Sequence, residues 1–74
     1  MPNPTNGIFT LYFDGQLTER NIEIFDLQGK RLARKLCSKE NNKIGFDVSK
    51  FETGMYLINI FSDKELKTFR LVKQ

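Results

Sequence analysis

The strongest constraint on this chain is the recurrence of short apolar runs with two-residue alternation, each closed within a few positions by glycine, asparagine, aspartate or proline. A period of two puts alternate side chains on opposite faces of an extended strand, whereas an amphipathic helix needs a period near 3.6. Residues 8–13 are β-branched or aromatic at five of six positions and lie between Pro4-Thr5-Asn6-Gly7 and Asp14-Gly15. Residues 22–25 place Ile22 and Ile24 on one face, as core candidates, with Glu23 and Phe25 on the other. Asp26-Leu27-Gln28-Gly29 fits a type I turn, with Asp bonding backbone amides from the first position and Gly free to take positive φ at the fourth. It predicts a hairpin into 30–36, where Leu32 and Leu36 flank Arg34 on one alternating set, the mark of a strand near a sheet edge.

The second half reads the same way. After a polar loop at 38–42, residues 43–48 line Ile44, Phe46 and Val48 on one face, and 49–53 turn the chain. Residues 54–61 form the most hydrophobic stretch and carry apolar side chains on both faces, as a central strand covered on both sides does. In the last run, 65–72, Leu66, Phe69, Leu71 and Val72 break strict alternation, which points to a bulge. Density of β-branched residues and closely spaced Gly and Asp-Gly interruptions disfavour a helix throughout. Six or seven short strands imply an all-β antiparallel sandwich of two packed sheets.

At 74 residues there is room for one domain with a stability of roughly 4–11 kcal/mol. Hydrophobic content of 39% against 28% charged residues lies in the folded range. No apolar stretch approaches the ~20 residues that span a bilayer, and Met1-Pro2-Asn3-Pro4 is neither a basic n-region nor an apolar h-region. The abrupt start, one residue before a proline-rich turn, is what a domain excised from a longer protein would show.

Catalysis finds no support. The single cysteine, Cys37, has no disulfide partner and, with no histidine in the chain, no usual base, so a packed structural thiol is favoured over a reactive one. One cysteine and no histidine exclude the common zinc sets. No carboxylate series has the spacing of a calcium loop, and no nucleophile elbow or phosphate-binding glycine loop is present. No metal or cofactor is expected. The net charge of +3 is dispersed: Lys30, Arg31, Arg34 and Lys35 in one segment, Lys64, Lys67, Arg70 and Lys73 in another. Solvated strand faces explain that pattern better than contact with nucleic acid or another anionic polymer. Seven Phe and two Tyr are more readily placed in a core than on a stacking platform.

Phe51-Glu52-Thr53-Gly54-Met55-Tyr56 sets a glycine turn and a tyrosine at the start of the most apolar strand. It resembles the tyrosine corner of immunoglobulin-like sandwiches, where the phenol reaches back to an upstream backbone group; an ordinary turn before a buried aromatic is the alternative.

Four segments in series carry a wider resemblance: Pro2-Asn3-Pro4-Thr5-Asn6-Gly7; Ile24-Phe25-Asp26-Leu27-Gln28-Gly29-Lys30; Phe46-Asp47-Val48-Ser49 leading to Gly54-Met55-Tyr56-Leu57-Ile58; and Arg70-Leu71-Val72-Lys73. In this order and spacing the chain resembles the type A C-terminal sorting domain of the type IX secretion system. The resemblance implies an immunoglobulin-like β-sandwich at the C-terminus of cargo exported across the outer membrane of Bacteroidetes-type bacteria. Its implied partners are the cargo domain on its N-terminal side, the translocon and its shuttle proteins, and a sortase-like cysteine peptidase that removes the domain. The implied route runs through the periplasm to the cell surface or medium. Export determinants map onto Lys67, Arg70, Leu71, Val72 and Lys73, while Pro2, Asn3, Pro4, Gly7, Asp26, Gly29, Gly54 and Tyr56 match structural positions. The chain departs from the family in having Arg70 where lysine is frequent and Met1 where an apolar or aromatic lead is usual. The alternative reading is an immunoglobulin-like cell-surface binding or adhesion module that stays on the mature protein.

Overall fold

The computed structural model describes residues 7–13, 19–38, 40–63 and 65–74. Six strands follow in chain order: β1 (Ile8–Tyr12), β2 (Arg20–Phe25), β3 (Arg31–Cys37), β4 (Lys43–Asp47), β5 (Gly54–Phe61) and β6 (Leu66–Lys73), with no helix among the described residues. They make a four-stranded antiparallel sheet in the order β3-β2-β5-β6 and a two-stranded antiparallel sheet, β1-β4. This is the all-β sandwich expected from the alternation, with six strands. Pro2, Asn3 and Pro4 of the first motif, the Asp14-Gly15 turn and Lys64 lie outside the described residues.

The core is made by the inward set of each strand. Phe9 and Leu11 of β1, Ile22 and Ile24 of β2, Phe46 of β4, Tyr56, Ile58 and Ile60 of β5, and Leu71 of β6 are buried, together with Val48 just beyond β4. Phe9 and Phe46 are register partners and stack with centroids 5.6 Å apart, joining the small sheet through side chains as well as backbone. Cys37, 2% exposed, points its thiol at the carbonyls of Asn41 and Lys43 (3.7 and 3.8 Å), and the Lys35 ammonium donates to the Gly45 carbonyl at 2.6 Å. These contacts fasten β4 beside β3. The thiol is therefore a packed one.

The turn at Asp26 forms as its residues dictate. The Gly29 amide donates to the Asp26 carbonyl (3.1 Å), and the Asp26 carboxylate accepts from the amides of Gln28 (3.0 Å) and Lys30 (2.9 Å). Gly29 takes φ +90°, the left-handed conformation that a type I hairpin turn with a following bulge demands. A second irregularity follows: the β2-β3 register shifts between Ile24 and Phe25, whose partners Ala33 and Arg31 leave Leu32 as the extra residue. The bulge anticipated in the last run is absent: β5 and β6 pair without interruption over eight residues, and the broken alternation arises because Leu66 and Val72 sit on the outer face.

The tyrosine corner is also formed. The Tyr56 hydroxyl donates to the Glu52 carbonyl at 2.6 Å, the ring lies 5.1 Å from that of Phe51, and Gly54 between them has φ +154°. Coverage of β5 differs from expectation. It is central in its sheet, but the two-stranded sheet covers only one face. On the other, Met55 is 40% exposed and Leu57 and Phe61 are half-buried, sheltered by cross-strand neighbours such as Phe25 and Leu66. Polar pairs share that open face: Arg31 with Glu23 (2.8 Å), Arg34 with Asn21 (2.9 Å) and Thr68 with Asn59 (2.9 Å).

Candidate functional site

The candidate site is β6, the last strand. It pairs with β5 from Gly54↔Lys73 to Phe61↔Leu66 and, among the described residues, has no ladder on its other side. An edge strand presents backbone donors and acceptors to any segment that can lie alongside it, and charged side chains are the usual guard against indiscriminate pairing.

Alternation divides the five expected recognition residues. Leu71 faces inward beside Tyr56 and has no exposure; Lys73, on the same set, is 7% exposed and its ammonium donates to the Gln74 carbonyl at 2.9 Å. Its methylene stem is packed while the charged end stays at the margin. Arg70 lies exposed on the outer face, and Val72, two residues further along the same face, is half-buried. Lys67 belongs to the inward set but stands at the open end of the sandwich, its side chain 59% exposed and 3.7 Å from the Glu65 carboxylate. An exposed pair at that distance is worth at most about 1 kcal/mol, so it leaves the ammonium able to choose another anion. The structure thus brings Lys67 and Arg70 to the surface of one edge strand and places Leu71 and Lys73 inside.

The structural-motif residues are grouped elsewhere. Asp26, Gly29, Gly54 and Tyr56 shape the two turns at the end where β6 finishes, and the Gly7 carbonyl accepts from the Val48 amide at 3.0 Å near the same end. Among the described residues no three metal-ligating side chains converge. The Asp47 carboxyl is held below its ordinary value by hydrogen bonds from the Ser49 side chain and from the Ser49 amide, which donates to Oδ1 at 3.0 Å. That is a local turn.

A family model described as a secretion system C-terminal sorting domain matches residues 1–74. No curated protein matches the chain, and no solved structure does.

Proposed function

The chain belongs to the family of secretion-system C-terminal sorting domains, which are type IX secretion signals and not an enzyme family, and we propose that residues 1–74 form the C-terminal domain of a larger cargo protein and carry it from the periplasm across the outer membrane. In this reading the translocon and its shuttle proteins recognise the domain, and a sortase-like cysteine peptidase removes it upstream of Pro2 as the cargo reaches the surface or medium. The observation that carries the reading is that the final strand is at once a sheet edge and a core element. Lys67 and Arg70 reach the surface of that strand and can orient a partner, while Leu71 and Lys73 hold β6 in place.

The test is a periplasmically targeted reporter fused to residues 1–74 in a type IX host. Arg70→Glu and Lys67→Glu reverse exposed charges and are expected to reduce export together while leaving the domain folded. Removal of residues 67–74 takes Phe69 and Leu71 out of the core and serves as the unfolded control. Export of the double charge reversal at the parent level refutes recognition by these two residues. Mass spectrometry of native exported cargo addresses removal: peptides from 1–74 on the mature protein would favour the adhesion reading.

A further inference from the structure

The larger sheet ends on β3 and β6, the smaller on β1 and β4, and of these end strands β1 alone carries no charged residue. Charge, proline and bulges are the ordinary guards of a sheet edge. Ile8-Phe9-Thr10-Leu11-Tyr12 has none of them, and its register with β4 runs unshifted from Ile8↔Asp47 to Tyr12↔Lys43. The bonds at its two ends fix which way its backbone points. The Phe13 amide donates to the Asn42 carbonyl (2.8 Å) and the Val48 amide to the Gly7 carbonyl (3.0 Å), so the odd-numbered residues from Gly7 to Phe13 exchange bonds with the β4 side. The N–H and C=O groups of Ile8, Thr10 and Tyr12 therefore point away from β4, where no second strand pairs with β1 among the described residues. Their side chains share the outer face, with Ile8 74% and Tyr12 73% exposed.

We propose that β1 is a homodimer edge: a second copy of this chain pairs its own β1 antiparallel across a two-fold axis at Thr10, joining two small sheets into one of order β4-β1-β1-β4. The inference stands apart from the sorting reading. What identifies the occupant as a second copy is that the segment is complementary to itself. With Thr10 opposite Thr10, Ile8 falls opposite the other copy's Tyr12 and Tyr12 opposite its Ile8. These are the residues whose backbone groups point outward, so each opposed pair exchanges both main-chain bonds and the contact is isologous. On the outer face the same register sets tyrosine against isoleucine on either side of a Thr–Thr pair, and aromatic–β-branched and Thr–Thr pairs are among those that stabilise sheets. On the inner face, Phe9 and Leu11 of one copy stand beside Leu11 and Phe9 of the other, all on the core side. Charge agrees. Asp47 adjoins Ile8 and Lys43 adjoins Tyr12, so each row across the joined sheet ends in one carboxylate and one ammonium. The paired length of five residues, about 17 Å, fits a weak and reversible dimer.

The test is sedimentation equilibrium of residues 1–74 from about 10 μM to 1 mM, the range of weak contacts. The mean mass of the parent is expected to rise with concentration toward that of two chains. Thr10→Lys and Thr10→Glu each set like charges face to face on the axis and should weaken association by about tenfold or more. An equimolar mixture of the two should restore it, because each mixed dimer sets opposite charges together. Thr10 is half-buried, so the exchange is repeated at the exposed positions, where folding is not at stake. Ile8→Glu and Tyr12→Lys should each weaken association and recover it when combined in one chain, with thermal melts within a few degrees of the parent. A parent that stays monomeric throughout overturns the proposal. So does association unchanged by Thr10→Lys, which would place the contact on another surface, and so do folded charge-exchange pairs that fail to re-associate. None of these outcomes bears on the sorting reading, which export of the fusion tests.

Discussion

Adjacent residues on β6 face opposite sides of the sheet, one in the core and one in solvent, and Leu71→Ala against Arg70→Ala measures the difference. Leu71 is fully buried against Tyr56, so truncation costs the transfer energy of the lost carbons plus a cavity, within the 2–5 kcal/mol seen for buried leucines. Because β6 is an edge strand that can settle inward, about 3 kcal/mol is the expected loss. Against a total of roughly 4–11 kcal/mol this is a large fraction. With a urea m-value near 1 kcal/mol/M, it lowers the midpoint by about 3 M, or the melting temperature by roughly 12–24 °C for a domain of this size. Arg70, exposed on the other face, should change stability by no more than about 0.5 kcal/mol on truncation. The assay is urea denaturation followed by far-UV circular dichroism, since the chain has no tryptophan. A Leu71→Ala midpoint within about 0.5 M of the parent, or an Arg70→Ala midpoint as low as that of Leu71→Ala, would refute the assignment of the two faces.

Other expectations are read in the same way. Tyr56→Phe removes the hydroxyl that donates to the Glu52 carbonyl, and because Glu52 is exposed and its carbonyl can turn to water, the loss should be about 1 kcal/mol by the same denaturation assay. Gly54→Ala should cost about 1–3 kcal/mol from φ +154° alone, since a Cβ there meets nothing within 4 Å; Gly45→Ala, whose Cβ meets only ordinary contacts at 3.8 Å and beyond, is the near-neutral comparison. Asp47 should titrate below 3.8 by NMR, because Ser49 stabilises its ionised form. Its folded value is lowered, so its contribution to stability is present above the unfolded value and fades as pH falls through the folded one; Asp47→Asn should flatten that acid limb.

Much of the fold was legible because its signals are local. The Asp26-Leu27-Gln28-Gly29 turn forms its bonds within five residues, and Tyr56 reaches only to Glu52. The inward positions of Ile22, Ile24, Phe46, Ile58 and Leu71 follow from alternation once strands are assumed. What escaped depends on contacts between distant segments. β2 starts at Arg20, two residues before its apolar run, because Arg20 and Asn21 pair through backbone groups opposite Cys37 and Leu36. The apolar outer residues of β5 suggested a second covering layer, yet flanking strands shelter Leu57 and Phe61 sideways. Lys73 reads as a surface charge, and only the register opposite Gly54 reveals that its stem is packed. In the site, the charge of Lys67 and Arg70 was visible, but that Leu71 and Lys73 turn inward between them and the chain end emerges only from the pairing of β6 with β5.

The packing of partly buried Phe69 and fully buried Leu71 in the final strand makes the domain a test of completeness. Every earlier strand can be synthesised and the larger sheet will still lack the side chains that close its interior beside Tyr56 and Ile58. A copy broken off before Leu71 therefore cannot close its interior, so a chain cut short loses the folded sorting domain as a whole and not only its last residues.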